Sequence, residues 1–393
     1  MITVLLIALA GIVSVFIATI AILAVRSAPE DLRSYDVPSG TLVMTDQASL
    51  AAYTEMATAF ADMGKAFDAM PEAERLATVR AALDGMGEAK SLEETVVPVD
   101  AEGVSGEWVL PAHGRVLRKI LYIHGGFFSM GSPVSHRAMT TRLARECDAA
   151  VFAPRYALLP ENPRKRMVGD CRRAYAWLAA APVPGWPTML PITVAGDSAG
   201  GNLALVTARW ASRQTGLDHP ASVVALSPAT DATMSSLTRA NRKDDILVGP
   251  TLDPVLKLAP LVWRLAILAK FKVWPNDPEI SPLFGDLSRL PPTFIQVGSS
   301  ELMLGDSLRY ANKARAQGSD VRLQRWTGLP HVWHLMDLDA EAARQSWQAI
   351  AAFISDPAGA SSGPRDDDRD AVAPFPDRTT ASSTQTPLPK ALP

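Results

Sequence analysis

The sequence contains only two cysteines, Cys147 and Cys171, in 393 residues. Two thiols cannot form a framework of several disulfide bridges, and neither lies in a metal-binding spacing. The chain also lacks the zinc-binding HExxH pattern, the phosphate-binding GxxxxGK pattern, and a GxGxxG followed by an acid for ribose. The formal net charge is only −3, so no general attraction to nucleic acid is expected. We therefore predict no metal, no cofactor and no nucleic-acid partner.

Charge is also absent from the first 25 residues, MITVLLIALAGIVSVFIATIAILAV. This segment exceeds the length of about 20 residues that spans a bilayer. It has no basic residue at its start and is longer than the apolar part of a secretory signal, so residues 1–25 are predicted to be an uncleaved anchor in a lipid bilayer. Arg26 and Arg33 follow the segment, and no Lys or Arg precedes it. The positive-inside rule then places the rest of the chain in the cytoplasm.

Composition divides the remaining chain into three regions. Residues 26–92 are rich in alanine and show helical periodicity from about Gln47 to Lys90. Residues 93–355 carry alternating strand and helix patterns in a chain that is 48% hydrophobic and 20% charged, enough to bury a large core. Residues 356–393 are rich in Pro, Ser, Thr and Asp and are predicted to be disordered. TVVPV and GEWVLPAHGRVLRKILYI are interpreted as the opening strands, with a hairpin near His113.

One serine stands among glycines in VAGDSAGGN. The residues before it, Pro191–Ala195, are typical of a buried strand, and those after it, Asn202–Arg213, have apolar side chains at helical spacing. A strand-to-helix turn strains its middle residue, and small neighbours let the flanking backbones approach. The segment Gly196–Gly200 thus favours a nucleophile elbow in which the N–H groups at the helix start face Ser198. The alternative is a glycine-rich turn with an incidental serine.

A serine nucleophile needs a base, and histidine fits best near neutral pH. In hydrolases with this elbow the base follows the serine along the chain, which leaves His219, His331 and His334. His219 is interpreted as a loop residue ahead of a strand. His331 and His334 lie in WTGLPHVWHL, where a loop precedes a new helix. One residue of this pair is predicted to be the base.

The base in turn needs a carboxylate to fix its tautomer. The predicted strand Thr293–Val297 is followed by Glu301 and Asp306, and both are candidates because the carboxyl ends of parallel strands carry the chemistry of an α/β sheet. Either acid alone would also fit a helix cap. A developing oxyanion needs backbone donors from a second loop. The His-Gly-Gly sequence after the predicted strand Ile120–Ile123 supplies that loop.

Together these segments resemble the hormone-sensitive-lipase-like branch of the α/β-hydrolase family, to which the membrane-anchored arylacetamide deacetylases also belong. The matching blocks occur in the family's order between Ile120 and Trp333: YIHGGFFSMGS, PRYALLPENP, VAGDSAGGN, LSPATD, SPLF, PPTFIQVGSSE and GLPHVW. The resemblance implies an α/β fold with a mostly parallel central sheet flanked by helices, and a helical cap to which residues 26–92 contribute. It makes Ser198 the nucleophile, His331 the base and Glu301 the acid. The N–H donors to the oxyanion would be those of Gly126, Phe127 and Ala199.

The resemblance also implies a serine carboxylesterase or lipase that works through an acyl-enzyme. Phe127 replaces the third glycine of the family's HGGG loop. Its N–H is kept, but its ring would narrow the acyl site, so short to medium acyl chains are expected. The alternative is a non-catalytic protein that binds a hydrophobic small molecule on the same fold, as the plant gibberellin receptors do. Those proteins lack the base of the family, whereas His331 is present here, which favours catalysis.

The segment Thr251–Trp274 is more apolar than a surface connection should be. Pro260 would start or kink a second helix in it. Lys257, Arg264 and Lys272 are expected on one face, which gives a basic amphipathic arrangement. Such a segment is either a helix packed on the core or a lid or membrane-facing element near the acyl site.

Overall fold

The computed structural model describes residues 18–89, 91–186, 189–236, 241–336 and 338–359. Most of the predicted anchor (1–17) and most of the predicted disordered tail (360–393) lie outside the described residues. Within the described ranges, no helix is both long enough and apolar enough to cross a membrane. Residues 18–26, which end the uncharged segment and add Arg26, are helical.

A single mixed sheet forms the centre of the described structure. Its nine strands are β1 (Thr41–Val43), β2 (Thr95–Ala101), β3 (Val104–Leu110), β4 (Arg118–Ile123), β5 (Ala149–Pro154), β6 (Ile192–Asp197), β7 (Ser222–Leu226), β8 (Thr293–Gly298) and β9 (Val321–Trp326). Their spatial order is β1-β9-β8-β7-β6-β4-β5-β3-β2. All neighbours pair in parallel except β2 with β3 and β3 with β5, so the predicted mostly parallel sheet is confirmed.

Helices cover both faces of this sheet. The helices that follow β1 are α1 (Gln47–Asp68), α2 (Glu72–Glu88), α3 (Arg137–Glu146), α4 (Arg164–Ala180), α5 (Ser198–Ala211), α6 (Gly249–Leu256), α7 (Pro260–Phe271), α8 (Leu304–Ala316) and α9 (Glu341–Ser355). On one face α4, α5 and α8 build a core that includes Met167, Leu203 and Leu308. On the other face α3 and α9 build a second core that includes Leu143 and Trp347. Because both faces are covered, β6 and β8 are buried at every residue, which explains their continuous apolar sequences.

The predicted hairpin near His113 is wrong. The strands β3 and β4 flank that residue but do not pair, because β5 lies between them in the sheet. The hairpin instead joins β2 to β3 through Glu102 and Gly103. Both turn residues have positive φ angles, 55° and 73°, which match the tight turn that antiparallel neighbours require.

The helices α1 and α2 occupy the alanine-rich region and cover the loops at the carboxyl end of the sheet. Arg80 of α2 donates hydrogen bonds to the carbonyls of Ser129 and Leu159, at 2.8 and 2.7 Å. Thr54 of α1 lines a cavity beside His331. The contribution of residues 26–92 to a helical cap stays a prediction.

The apolar segment Thr251–Trp274 forms two helices, and Pro260 is the first residue of the second. The chain breaks between α6 and α7, where Lys257 lies and pairs with Asp253 at 2.6 Å. Lys272 caps the far end of α7, which leaves only Arg264 of the three cations within a helix. The predicted start of a second helix at Pro260 is confirmed, but the predicted placement of the three cations on one helical face is wrong, because Lys257 and Lys272 lie outside the helices.

Candidate active site

Ser198 lies at the sharp turn between β6 and α5. Asp197 ends the strand and Ser198 begins the helix, with no residue between them. The φ angle of Ser198 is 51°, in the left-handed region that residues with side chains seldom adopt. A Cβ atom on Gly196 would lie 2.5 Å from the carbonyl oxygen of Gly200, and one on Gly200 would overlap the carbonyl of Ile123. The two glycines are therefore required because the strand and the helix approach too closely for side chains, as in a nucleophile elbow.

His331 links the serine to a carboxylate. Its Nε2 atom lies 2.9 Å from Ser198 Oγ, and its Nδ1 atom lies 2.7 Å from Glu301 Oε2. One ring nitrogen thus faces the hydroxyl while the other faces the acid, which is the orientation that a general base needs. The structure brings together the three residues that the family resemblance selected.

The other oxygen of Glu301 is also held. Oε1 accepts hydrogen bonds from the Ser227 hydroxyl at 2.8 Å and from the Gly298 N–H at 2.6 Å. Ser227 Oγ in turn accepts the N–H of Val332, the residue after His331, at 3.3 Å. Ser227 therefore positions both the acid and the histidine loop, a role that the sequence analysis missed. The available signal was a polar residue at the end of a buried strand, in LSPATD.

Burial and charge act in opposite directions on the histidine. Burial disfavours the imidazolium, but the nearby Glu301 carboxylate outweighs it and raises the pKa of His331 above its usual value. Burial also raises the pKa of Glu301, against the opposing effect of His331. The buried Asp245 carboxylate adds negative charge that raises both pKa values. The pair therefore holds its proton more tightly than isolated side chains would.

The remaining candidates lie away from the serine. The Asp306 carboxylate accepts hydrogen bonds from two successive backbone N–H groups, at 2.8 and 2.9 Å. His334 Nε2 lies 2.8 Å from Gln296 Oε1 inside the core, where burial lowers the pKa of His334 to about 3. His219 is exposed on a loop. The structure thus places His331 and Glu301, not these residues, beside Ser198.

The loop after β4 carries the predicted oxyanion donors. Gly126 and Phe127 have φ angles of 109° and 53°, so Phe127 adopts a backbone conformation that glycine would favour. Among the described residues, none accepts a hydrogen bond from either N–H group. Ala199 is the second residue of α5, and its N–H is one of those that a helix start leaves without an intrahelical partner.

Asp197 ties this loop to the elbow. Its Oδ1 atom accepts hydrogen bonds from the Gly125 N–H at 2.9 Å and the Tyr122 hydroxyl at 2.6 Å. His136 Nε2 lies 3.6 Å from its other oxygen. Burial opposes the charge of Asp197, but His136 and the Tyr122 hydrogen bond outweigh burial and lower its pKa. No separate role was predicted for Asp197 from the sequence, although its carboxylate connects the elbow to the loop after β4.

A cavity of about 120 Å³ opens beside the histidine. Its walls come from α1, from the segment before α6 and from the loops after β8 and β9: Thr54, Asp244, Asp245, Ile246, Ser300, Glu301, Gly328, Pro330 and His331. This space adjoins the acid and the base. In the ranges that the structure describes, no cluster of three or more His, Cys, Asp or Glu side chains could hold a metal ion.

Comparison with known proteins identifies the family of the chain. Residues 120–335 match the family described as alpha/beta hydrolase fold. The chain is 35% identical over 252 residues to an acetyl-hydrolase of Streptomyces hygroscopicus, which covers 64% of this chain and 79% of that protein. It is 33% identical over 259 residues to an esterase of Acinetobacter venetianus, covering 66% and 81%. A hormone-sensitive lipase from a metagenome library has a similar crystal structure, with a TM-score of 0.65, 32% identity, and coverage of 80% of this chain and 99% of that chain. The chain belongs to the α/β-hydrolase family, in its hormone-sensitive-lipase-like branch.

Proposed function

We propose that the chain hydrolyses carboxylic esters through an acyl-enzyme on Ser198, with His331 as the base and Glu301 as the orienting acid. The observation that carries this proposal is the continuous series of hydrogen bonds from Glu301 through His331 to Ser198. Relatives named esterase and acetyl-hydrolase support the ester hydrolase class. They do not favour the alternative of a non-catalytic binding protein.

The reaction begins when His331 Nε2 takes the proton from Ser198 Oγ and the oxygen attacks the ester carbonyl carbon. The tetrahedral oxyanion is held by the N–H groups of the loop after β4 and of the start of α5. Glu301 stabilises the imidazolium, which then gives its proton to the departing alcohol. Water repeats the sequence on the acyl-enzyme, releases the carboxylic acid and restores the serine.

A fluorophosphonate probe tests this assignment because it reacts with activated serines. Mass spectrometry of the labelled full chain should find the adduct on Ser198. Ser198→Ala should abolish both labelling and the hydrolysis of p-nitrophenyl esters, whereas Ser212→Ala, at the other end of the same helix, should leave both intact. An adduct on another serine, or near-normal hydrolysis by Ser198→Ala, would refute the proposal.

The same ester series tests the acyl preference. Phe127 is half-buried beside the core, and its ring is proposed to narrow the acyl site so that short to medium chains are preferred. Phe127→Gly keeps the N–H donor, and glycine readily adopts the φ angle of 53°. Its optimum should shift to longer acyl chains. An unchanged chain-length profile would show that the ring does not line the acyl site.

We also propose that residues 1–25 anchor the chain in a bilayer with the catalytic domain in the cytoplasm. The support is the absence of charge in this segment and the two arginines that follow it. The full chain should sediment with membranes and resist extraction by salt and carbonate, and two lysines introduced as Val13→Lys and Ile17→Lys should release it. Protease added outside intact cells should spare the catalytic domain. Release of the unaltered chain by carbonate would contradict the anchor, and cleavage in intact cells would contradict the orientation.

A further inference from the structure

The helix α7 has two apolar faces, and only one is buried. Trp263, Ile267 and Phe271, spaced four residues apart, point into the core. Val262, Ala266 and Ala269 lie on the opposite side and are exposed, while Leu265 between them is half-buried. Val262 is 51% exposed, and Leu258 just before the helix is 41% exposed. A helix at a water-facing surface normally presents polar residues there, whereas this face presents none.

The stretch of chain that includes this helix is rich in cations. Residues 254–276 contain Lys257, Arg264, Lys270 and Lys272 and no Asp or Glu, in a chain whose net charge is −3. Arg264 and Lys270 lie on the two flanks of α7, between its buried and exposed faces. No described residue forms an ion pair with Arg264, Lys270 or Lys272. Long cationic side chains in such positions can extend along an apolar surface and place their charges at its rim.

The uncharged N-terminal segment enters the described structure beside this helix. The guanidinium of Arg26 lies 5.0 Å from the ring centroid of Trp274, shortly after α7 ends. Asn276 donates hydrogen bonds to the carbonyls of Arg26 and Ala28, at 3.1 and 3.0 Å. Within residues 18–25, Val25 is 78% exposed. The uncharged segment therefore joins the described structure at Trp274, three residues after α7 ends.

We propose that the outer face of α7 rests on the surface of a bilayer that contains anionic lipids, next to the point where residues 1–25 enter it. The apolar residues would contact the acyl boundary and the cations would pair with headgroup phosphates, as in interfacial amphipathic helices. This inference rests on the proposed attachment of residues 1–25 to a bilayer, but it concerns a separate surface. A second copy of the chain fits less well, because a symmetric contact would bring the same cations face to face.

The buried face of α7 connects this surface to the active site. Phe271 packs edge-on against Phe128 of the loop after β4, with ring centroids 5.4 Å apart. Trp263 Nε1 donates a hydrogen bond to the carbonyl of Ala232 at 2.9 Å, in the loop after β7. The proposed bilayer contact is thus separated from the oxyanion loop by about one helix diameter, roughly 10 Å. Esters dissolved in the lipid would therefore lie on the same side of the molecule as the oxyanion loop.

Site-specific quenching in proteoliposomes tests the contact directly. Cys147 and Cys171 are buried, so a cysteine introduced on the surface can be labelled selectively. The full chain would carry a fluorophore at Val262→Cys or Ala266→Cys, in liposomes of phosphatidylcholine and phosphatidylglycerol that contain a nitroxide lipid. Ala59→Cys and Met86→Cys, at exposed apolar positions of α1 and α2, are the matched controls. We expect the nitroxide lipid to quench the two α7 labels and to leave the two controls at background.

The outcomes separate this inference from the anchor. If the full chain does not float with the liposomes, the anchor proposal fails and this inference fails with it. If the chain floats but the α7 labels are quenched no more than the controls, the α7 contact alone is wrong. If the α7 labels are protected from both the nitroxide lipid and aqueous iodide, protein covers the face and the bilayer is excluded as the occupant. Arg264→Gln with Lys272→Gln should reduce quenching at position 266 only when phosphatidylglycerol is present, and an equal effect in phosphatidylcholine alone would refute the role of charge.

Discussion

Two buried carboxylates that follow the same strand, Glu301 and Asp306, have different surroundings. Glu301 faces an imidazole that reaches Ser198, so its charge acts on a proton that can move. Asp306 faces backbone N–H groups and lies beside a second carboxylate, Asp231. Both are inaccessible to solvent or nearly so. Burial at the carboxyl end of a strand therefore does not by itself make an acid catalytic, and the side chain opposite the carboxylate decides its role.

The surroundings of Asp306 continue into a structural cluster. Arg309, one turn along α8, pairs with Asp36 at 2.6 Å and lies 4.0 Å from Asp231. The cluster thus joins the loop after β7, the helix α8 and the segment before β1. Its contacts stabilise the fold, whereas the contacts of Glu301 orient a base.

The largest expected difference between Glu301 and Asp306 is in the loss of esterase activity when each is replaced. Glu301→Gln should lower kcat/KM for a soluble ester by about 10³- to 10⁴-fold, because the amide no longer fixes the imidazole tautomer. Asp306→Asn should cost less than about tenfold, since it touches neither His331 nor Ser198. Steady-state kinetics on p-nitrophenyl butyrate provide the measurement. A larger loss in Asp306→Asn would show that the family spacing selects the wrong acid.

The free energy of unfolding should fall more when Asp306 is replaced than when Glu301 is replaced. Asp306→Ala leaves two buried backbone N–H groups without an acceptor, at about 1–3 kcal/mol each. Glu301→Gln keeps an oxygen for Ser227 and Gly298 and should reduce the free energy of unfolding by less. Urea denaturation of both variants, compared at equal m-values, measures the difference. Equal losses of unfolding free energy in the two variants would contradict the structural role given to Asp306.

The pH dependence of activity should depend on Glu301. His331 must be neutral to accept the serine proton, and the Glu301 carboxylate raises the pKa of His331, so kcat/KM should rise with pH through a midpoint above that of an ordinary histidine. In Glu301→Gln the carboxylate that favours the imidazolium is gone while burial remains. The midpoint of the residual activity should therefore move to lower pH. If the midpoint stays in place or rises, Glu301 is not the group that raises the pKa of His331.

The smallest expected effect is on the pH dependence of stability. Burial and the neighbouring Asp231 raise the pKa of Asp306 from 3.8 to about 7. The folded state therefore binds this proton more tightly than the unfolded chain does. The resulting stabilisation is complete below 3.8 and is lost as the pH rises through about 7. Asp306→Asn, which cannot ionise, should show a flatter curve of Tm against pH over this range. Parallel curves for the two proteins would exclude Asp306 as the titrating group.

The nucleophile elbow could be predicted from a short stretch of sequence because the residues that form it are close together in the chain. The glycines around Ser198 are required by atoms of the adjoining strand, helix and neighbouring strand, and their pattern is visible in a short stretch. The two histidines after Pro330 could not be separated from residues alone, since both follow the same turn. The structure separates them because only His331 faces Ser198, whereas His334 belongs to a short 3₁₀ helix, Trp333–Met336, directed into the core.

The features that the sequence did not predict arise from contacts between distant segments. Ser227 and Glu301 are 74 residues apart, and Gly125 and Asp197 are 72 apart. No periodicity or spacing records such a contact. The wrong hairpin near His113 has the same origin, because β5, which follows β4 in the chain, enters the sheet between β3 and β4. The cations of Thr251–Trp274 were placed on one face because regular helical spacing was applied across the whole segment, although Pro260 indicated the start of a second helix.

The segment between the uncharged residues and β1 is fastened along its length. After the contacts of Arg26 with Asn276, Glu30 pairs with Lys313 at 2.9 Å, and Asn312 donates hydrogen bonds to the carbonyls of Tyr35 and Val37. The chain then adds β1 to the edge of β9. The helix that ends at Arg26 therefore joins the folded body beside Trp274 and Asn276, and the segment that leads from it to β1 is bound to the body rather than being a free linker.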